Sequence, residues 1–125
     1  MIEHPEETGC GDPIAPDRLI PRYRHDLFDR YLPFFERRVV DREHGGFLCH
    51  CLPDGTRVST RKRSWYQGRG LWLYSALYNR IERDPRFLEV ARGAARFIMD
   101  TSPPGDELWA EWFERDGAPI GGPAP

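Results

Sequence analysis

Residues 61–79 read RKRSWYQGRGLWLYSALYN. A polar, arginine-rich start gives way at Leu71 to LWLYSALY, which is apolar on nearly every side, whereas a helix with one wet face carries a single apolar stripe. That run predicts an inner helix packed on both faces. Ser64 and Gln67 have the S-x-x-Q spacing of a capping box, so the helix is expected to start there. Arg69 then stands alone among Trp65, Tyr66, Gln67 and Trp72. In the first turn its charge opposes the helix macrodipole, an unfavourable term of about 0.3–1 kcal/mol that an anionic partner would offset.

On the C-terminal side, residues 84–100 (DPRFLEVARGAARFIMD) supply Asp84 as a cap and Pro85 as first helical residue. Phe87, Leu88, Ala91, Ala94, Ala95 and Ile98 fall on one side, with Glu89, Arg92 and Arg96 on the other, as in an outer helix. On the N-terminal side, Leu19, Tyr23, Leu27, Tyr31, Phe35 and Val39 recur every fourth position with Ile20, Phe28 and Leu32 beside them. The pattern predicts a long helix capped by Asp17. Pro21 is tolerable in its first turn, whereas Pro33 is expected to kink or interrupt it.

Residues 45–60 (GGFLCHCLPDGTRVST) alternate around Pro-Asp-Gly, so Phe47–Leu52 and Thr56–Ser59 are expected to form a hairpin. The Asp54-Gly55 turn recurs as Asp116-Gly117 within ELWAEWFERDGAPI, again after helical sequence. One helical hairpin plus one β-hairpin therefore reads as a repeating unit. The fold class expected is all-α with short β-hairpins, part of an α/α toroid that needs more repeats than this sequence holds.

Composition limits the function. The 125 residues are 39% apolar and 13% aromatic, enough for one modest core. Basic and acidic residues nearly cancel, 18 against 20 with pI near 6.1, which argues against nucleic acid or an anionic membrane as partner. Lys62 is the one lysine, and most of the basic residues read as solvated helix surface. Residues 1–15 are acidic, rich in Gly and Pro, and expected to be a disordered lead without the marks of a secretory signal, leaving residues 16–125 as the folded part. With no run of 18 apolar residues and three cysteines that suit reduced thiols, the chain reads as cytoplasmic.

The CHC triplet at Cys49, His50 and Cys51 invites a metal, but on a strand the thiols face one way and the imidazole the other. His4, Cys10, His25 and His44 are scattered over three segments, so no metal site is expected. His44 reads as a turn residue and His25 as part of a polar helix face. Gly-x-Ser-x-Gly, P-loop and dinucleotide fingerprints are lacking, and no cofactor is called for.

The stretch YRHDLFDRYLPFFERRVVDREHGGFLCHCLPDG at residues 23–55, followed by RKRSWYQGRGLWLYSALYN, resembles the start of the N-acylglucosamine 2-epimerase family. The features that carry the resemblance are the LPFF helix end, D-x-x-x-GGF, the Asp-Gly hairpin and the W-x-Q-x-R-x-x-W pattern of Trp65, Gln67, Arg69 and Trp72, within residues 17–120. The resemblance implies an (α/α)6 barrel, here its N-terminal repeats only, and epimerisation or aldose-ketose isomerisation of a small sugar by proton transfer beside its carbonyl. Arg69 is then the catalytic cation that stabilises the enediolate-like transition state. Trp65, Tyr66 and Trp72 would stack on the sugar, and Gln67 would bond its hydroxyls.

Other readings of the same residues stay open: Arg69 paired with an acid on a neighbouring helix, Gln67 as a cap, Trp72 as core. The family's two proton-transferring histidines belong to later repeats, and none of the four here matches them. The chain is accordingly expected to be inactive alone, to be completed by a C-terminal remainder or a second copy, or to act as a sugar-binding or oligomer-forming module.

Overall fold

The computed structural model describes residues 15–123. They divide at Pro33/Phe34 into two units, taken in turn.

In the first unit, α1 (Pro16–His25) starts at Pro16, with Ala15 as a cap that makes no side-chain bond. Asp17 is thus a first-turn acid rather than the cap, because Pro16 already has the fixed φ of a first helical residue. Pro21 lies inside α1, beyond the first turn in which the sequence seemed to place it. Wider turns at Asp26–Tyr31 follow, closed by the Leu32 amide on the Leu27 carbonyl. Pro33 then falls second in α2 (Leu32–Arg38), directly after those turns, and has no N–H to donate back into them. The interruption expected there takes the form of π turns upstream of the proline. His25 bonds Asp29 at 2.7 Å and Arg30 bonds Asp26 at 3.2 Å, both one turn apart on an exposed face.

The second unit holds the core. A bridge joins Val40 to Phe47 across the tight loop at Asp41–Gly46. The first hairpin pairs β1 (His50–Cys51) with β2 (Arg57–Ser59), shorter arms than alternation suggested, because Phe47 is held elsewhere. A second sheet, β3-β4-β5, follows. Here β3 (Lys62–Arg63) pairs with β4 (Ala110–Phe113), which forms a hairpin with β5 (Pro119–Pro123). In the first turn Leu52 N–H donates to Thr56 O, Gly55 N–H to Leu52 O and Thr56 N–H to Asp54 Oδ1. Glu114, Gly117, Ala118 and Asp116 reproduce those three bonds in the second turn, the repeat that the sequence announced.

Between β3 and β4 in the sequence, α3 (Ser64–Ala76) packs on α4 (Pro85–Thr101). As read from sequence, Asp84 caps α4, its carboxylate accepting the Arg86 N–H at 2.9 Å. The buried face of α4 is Phe87, Val90, Ala91, Ala94 and Phe97, rotated from the expected set so that Phe97 meets Phe113 edge-on at 5.9 Å. Of α3, only Ser64, Gln67 and Tyr74 are buried, so one face is packed rather than two. Its cap is Arg63, with no capping box, since Gln67 is engaged by a distant segment.

Burial also claims the one lysine, to which the sequence reading gave no role. Lys62 is wholly buried and gives its three N–H donors to Asp41 Oδ2 at 2.8 Å, Gly45 O at 2.7 Å and Arg115 O at 2.8 Å. Phe97 underlies the ammonium at 4.4 Å. Asp41 in turn accepts from Arg115 and from the Glu43 and His44 amides. Burial would raise the Asp41 carboxyl, but hydrogen bonds from Arg115 and Lys62 outweigh it and hold it well below 3.8. Stability from this lowered carboxyl is complete above pH 3.8 and is lost as pH falls through and below that value. Urea titrations at pH 7 and pH 3 are therefore expected to differ in midpoint, and an Asp41→Asn chain to show a smaller difference.

Candidate functional site

Arg69 is the sixth residue of α3, in its second turn, so the macrodipole penalty charged to it from sequence largely falls away. Its guanidinium carbon sits 4.0 Å from the Trp65 ring centre, and Trp65 stacks on Tyr66 at 4.6 Å and 27°. The i, i+4 spacing makes this contact, because side chains one turn apart share a helix face. No carboxylate among the described residues lies within ion-pair range of Arg69, and none hydrogen-bonds to it. The pairing with a neighbouring helix that was open from sequence is thus not made among these residues.

Arg69 and Tyr66 edge a cleft of about 310 Å³. Its other lining residues come from three stretches: Phe34, Phe35 and Val39; Phe47, Leu48, Cys49 and Cys51; and Gly70, Leu73 and Tyr74 of α3. Arg69 is the one charged side chain among the described lining residues. Its N–H donors can meet an oxygen that gains negative charge, in surroundings that strengthen the interaction.

The remaining candidates are distributed differently. Gln67 is wholly buried, its Oε1 accepting the Phe47 N–H at 2.7 Å while Nε2 donates to Phe47 O at 2.9 Å and Arg63 O at 3.2 Å. The amide ties the hairpin strand to the start of α3, leaving little capacity for a sugar hydroxyl. Trp72 is 69% exposed and so is not core in these residues, contrary to the sequence reading. Trp65, at 41%, and Tyr66, at 44%, keep accessible surface.

Three residues of the cleft were missed. Phe47 stacks on Tyr74 at 5.8 Å, and its ring occupies the space beside Gly70. The Tyr74 hydroxyl is buried without a hydrogen-bond partner among the described residues, and burial pushes its ionisation upward. Cys49 accepts the Arg63 N–H at 3.3 Å, and burial raises its thiol above the usual value, so it is a poor nucleophile at neutral pH. Only the glycine at position 70, next to Arg69, hinted at the close approach of Phe47.

His50 points away from the thiols, as strand alternation required, and meets Trp112 at 5.2 Å. His44 lies in the turn expected for it, on a separate polar groove of about 600 Å³ shared with Arg92 and Arg96. Neither lines the Arg69 cleft. Among the described residues no three His, Cys, Asp or Glu side chains gather to hold a metal, and His4 and Cys10 fall outside them. No helix among the described residues is long and apolar enough to cross a membrane.

No family model matches the chain. It is 36% identical over 97 positions to the N-acylglucosamine 2-epimerase of Mus musculus, covering 74% of this chain and 23% of that one. Identity to the cellobiose 2-epimerase of Bacteroides fragilis is 33% over 76 positions, 60% of this chain and 19% of the relative. The solved cellobiose 2-epimerase from Spirochaeta thermophila superposes with a TM-score of 0.70 at 26% identity, covering 83% of this chain and 26% of that one. A second, from Bacillus thermoamylovorans, gives 0.73 at 24% identity. The chain spans about a quarter of the length of the curated relatives it matches, and its fold is part of their (α/α)6 barrel. Shared sequence and a superposable fold agree, and over this segment the chain belongs to the N-acylglucosamine 2-epimerase family.

Proposed function

We propose that the chain contributes the arginine wall of a site in which a proton moves at the carbon beside an aldose carbonyl. One observation carries this reading: Arg69 holds its guanidinium over Trp65, beside an apolar cleft, without an acid among the described residues to neutralise it. Removing the proton places negative charge on the carbonyl oxygen, and a fixed cation with free donors stabilises that charge more than it stabilises the neutral sugar. The exposed rings of Tyr66 and Trp72 suit the apolar side of a sugar ring, whereas Trp65, between the Arg69 guanidinium and Tyr66, offers its edge and holds the cation in place. Gln67 acts indirectly, by fixing Phe47 and the helix start. Relatives named for N-acylglucosamine and for cellobiose bracket the substrate class as aldoses with or without an acylated amine.

The proton-transferring bases would come from residues outside this sequence or from another chain, because no histidine among the described residues lines the cleft. That same observation favours a second reading, in which the 125-residue chain binds sugar without turning it over.

Thermal unfolding of the purified chain with a panel of aldoses tests both. Saturating sugar is expected to raise the transition by about 4 °C or more, and Arg69→Ala to abolish the rise. An equal rise in both proteins, or none with any sugar, overturns the proposal. Epimerisation of N-acetylmannosamine, mannose or cellobiose by the chain alone would overturn the assignment of the bases to residues elsewhere.

A further inference from the structure

We infer that Arg69 grips two coplanar oxygens at once, so that the ligands this site holds best are open-chain sugar acids, aldonates, rather than neutral sugars or alditols. The inference rests on Arg69 facing the substrate and deepens that reading by naming the ligand's chemistry.

Three observations lead to it. First, at 4.0 Å the guanidinium carbon is in contact with the Trp65 ring face, and Tyr66 backs that ring at 4.6 Å. A guanidinium seated on a ring leaves its N–H donors to other partners, and arginine binds carboxylates through two parallel bonds. Second, no hydrogen bond or ion pair with a described residue uses those donors. Third, the remaining described residues lining the cleft are uncharged at neutral pH, so a bound anion there meets one cation and no competing carboxylate.

An enediolate formed at the first two carbons of an aldose presents two oxygens in one plane, with negative charge shared near them. An aldonate presents a comparable coplanar, negatively charged pair permanently, with both oxygens on C1 and the hydroxyl-bearing C2 beside them. An alditol keeps the hydroxyls but loses both the charge and the plane. Lysine would supply charge without the fork, so the site should distinguish Arg69→Lys from the native residue.

Calorimetric titration of the full chain with D-mannonate, D-mannitol, D-mannose and acetate reads this directly. Mannonate is expected to bind at least tenfold more tightly than mannitol, and Arg69→Lys to lose about tenfold for mannonate while leaving mannitol unchanged. Trp65→Leu, which removes the stacking face but no charge, is expected to weaken mannonate several-fold. Arg69 and Trp65 are exposed, so the unliganded unfolding transition should stay in place and serve as the folding control. If mannose binding depends on Arg69 but mannonate is no tighter than mannitol, or Arg69→Lys binds it as well as the native chain, the two-oxygen grip is wrong while the wider reading stands. Acetate matching mannonate would also overturn it, since the site would then hold any carboxylate. If neither mannose nor mannonate senses Arg69→Ala, both readings fall together.

Discussion

Replacing Lys62 with methionine is expected to destabilise the chain by about 3 kcal/mol or more. Methionine fills similar volume, so the cost is electrostatic. Asp41, with its side chain fully buried, loses one of two cationic partners, and the carbonyls of Gly45 and Arg115 lose the donor that satisfied them. Each buried polar group left without a partner costs about 1–3 kcal/mol. Arg115 still holds Asp41 by two hydrogen bonds, which keeps the loss towards the lower part of the range for a broken buried pair. Because small domains are stable by only about 5–15 kcal/mol, a shift of this size should move the urea midpoint far, with the slope unchanged. A double variant, Lys62→Met with Asp41→Asn, should lose less than the two single changes summed. A single-variant loss below 1 kcal/mol would mean that the ammonium adds little beyond filling space.

The second large effect sets two glycines of α3 against each other. Alanine ordinarily improves a helix over glycine by about 1 kcal/mol, and at Gly68, where nothing lies within 4 Å of a new methyl group, that gain should appear in full. At Gly70 the methyl carbon would lie 2.1, 2.4 and 2.6 Å from three carbons of the Phe47 ring. Phe47 cannot step aside cheaply: its backbone is bonded on both sides to Gln67, and its ring is stacked on Tyr74. Overpacking of this kind costs about 1–3 kcal/mol net, so Gly68→Ala and Gly70→Ala should separate by about 2–4 kcal/mol with opposite signs. Restoring the Gly70→Ala chain with Phe47→Leu would tie the loss to that ring. A Gly70→Ala chain as stable as the parent would show that the segment from Gly46 to Leu48 is far looser than its hydrogen bonds imply.

Local signals in the sequence were informative wherever the structure is local. Asp84 before Pro85 capped its helix, and the two Asp-Gly turns closed with the same three bonds. Arg69 was conspicuous because a lone cation beside an apolar run has no neighbour in sequence to explain it. What escaped was decided by residues far apart. Lys62 sits between two arginines and looks like surface, yet β3 pairs with β4 nearly fifty residues later and draws it under the sheet. Gln67 satisfied the spacing of a cap, but the Phe47 backbone, twenty residues away, offered a donor and an acceptor together and took the amide instead. The buried face of α4 was misjudged by a fraction of a turn, because Phe97 is chosen by Phe113 and the Lys62 ammonium rather than by its own helix. For the site, the cation was legible and the cleft was not, since its walls come from three separate segments.

The single lysine has a chemical consequence. Reagents that acylate or alkylate amines need a neutral, reachable nitrogen, and Lys62 offers an enclosed ammonium with all three protons committed. In the folded chain such reagents are expected to reach Lys62 only when the segment around Asp41 and Arg115 opens. The protein thus carries a one-atom gauge of its own breathing, readable by mass as the uptake of a label at Lys62.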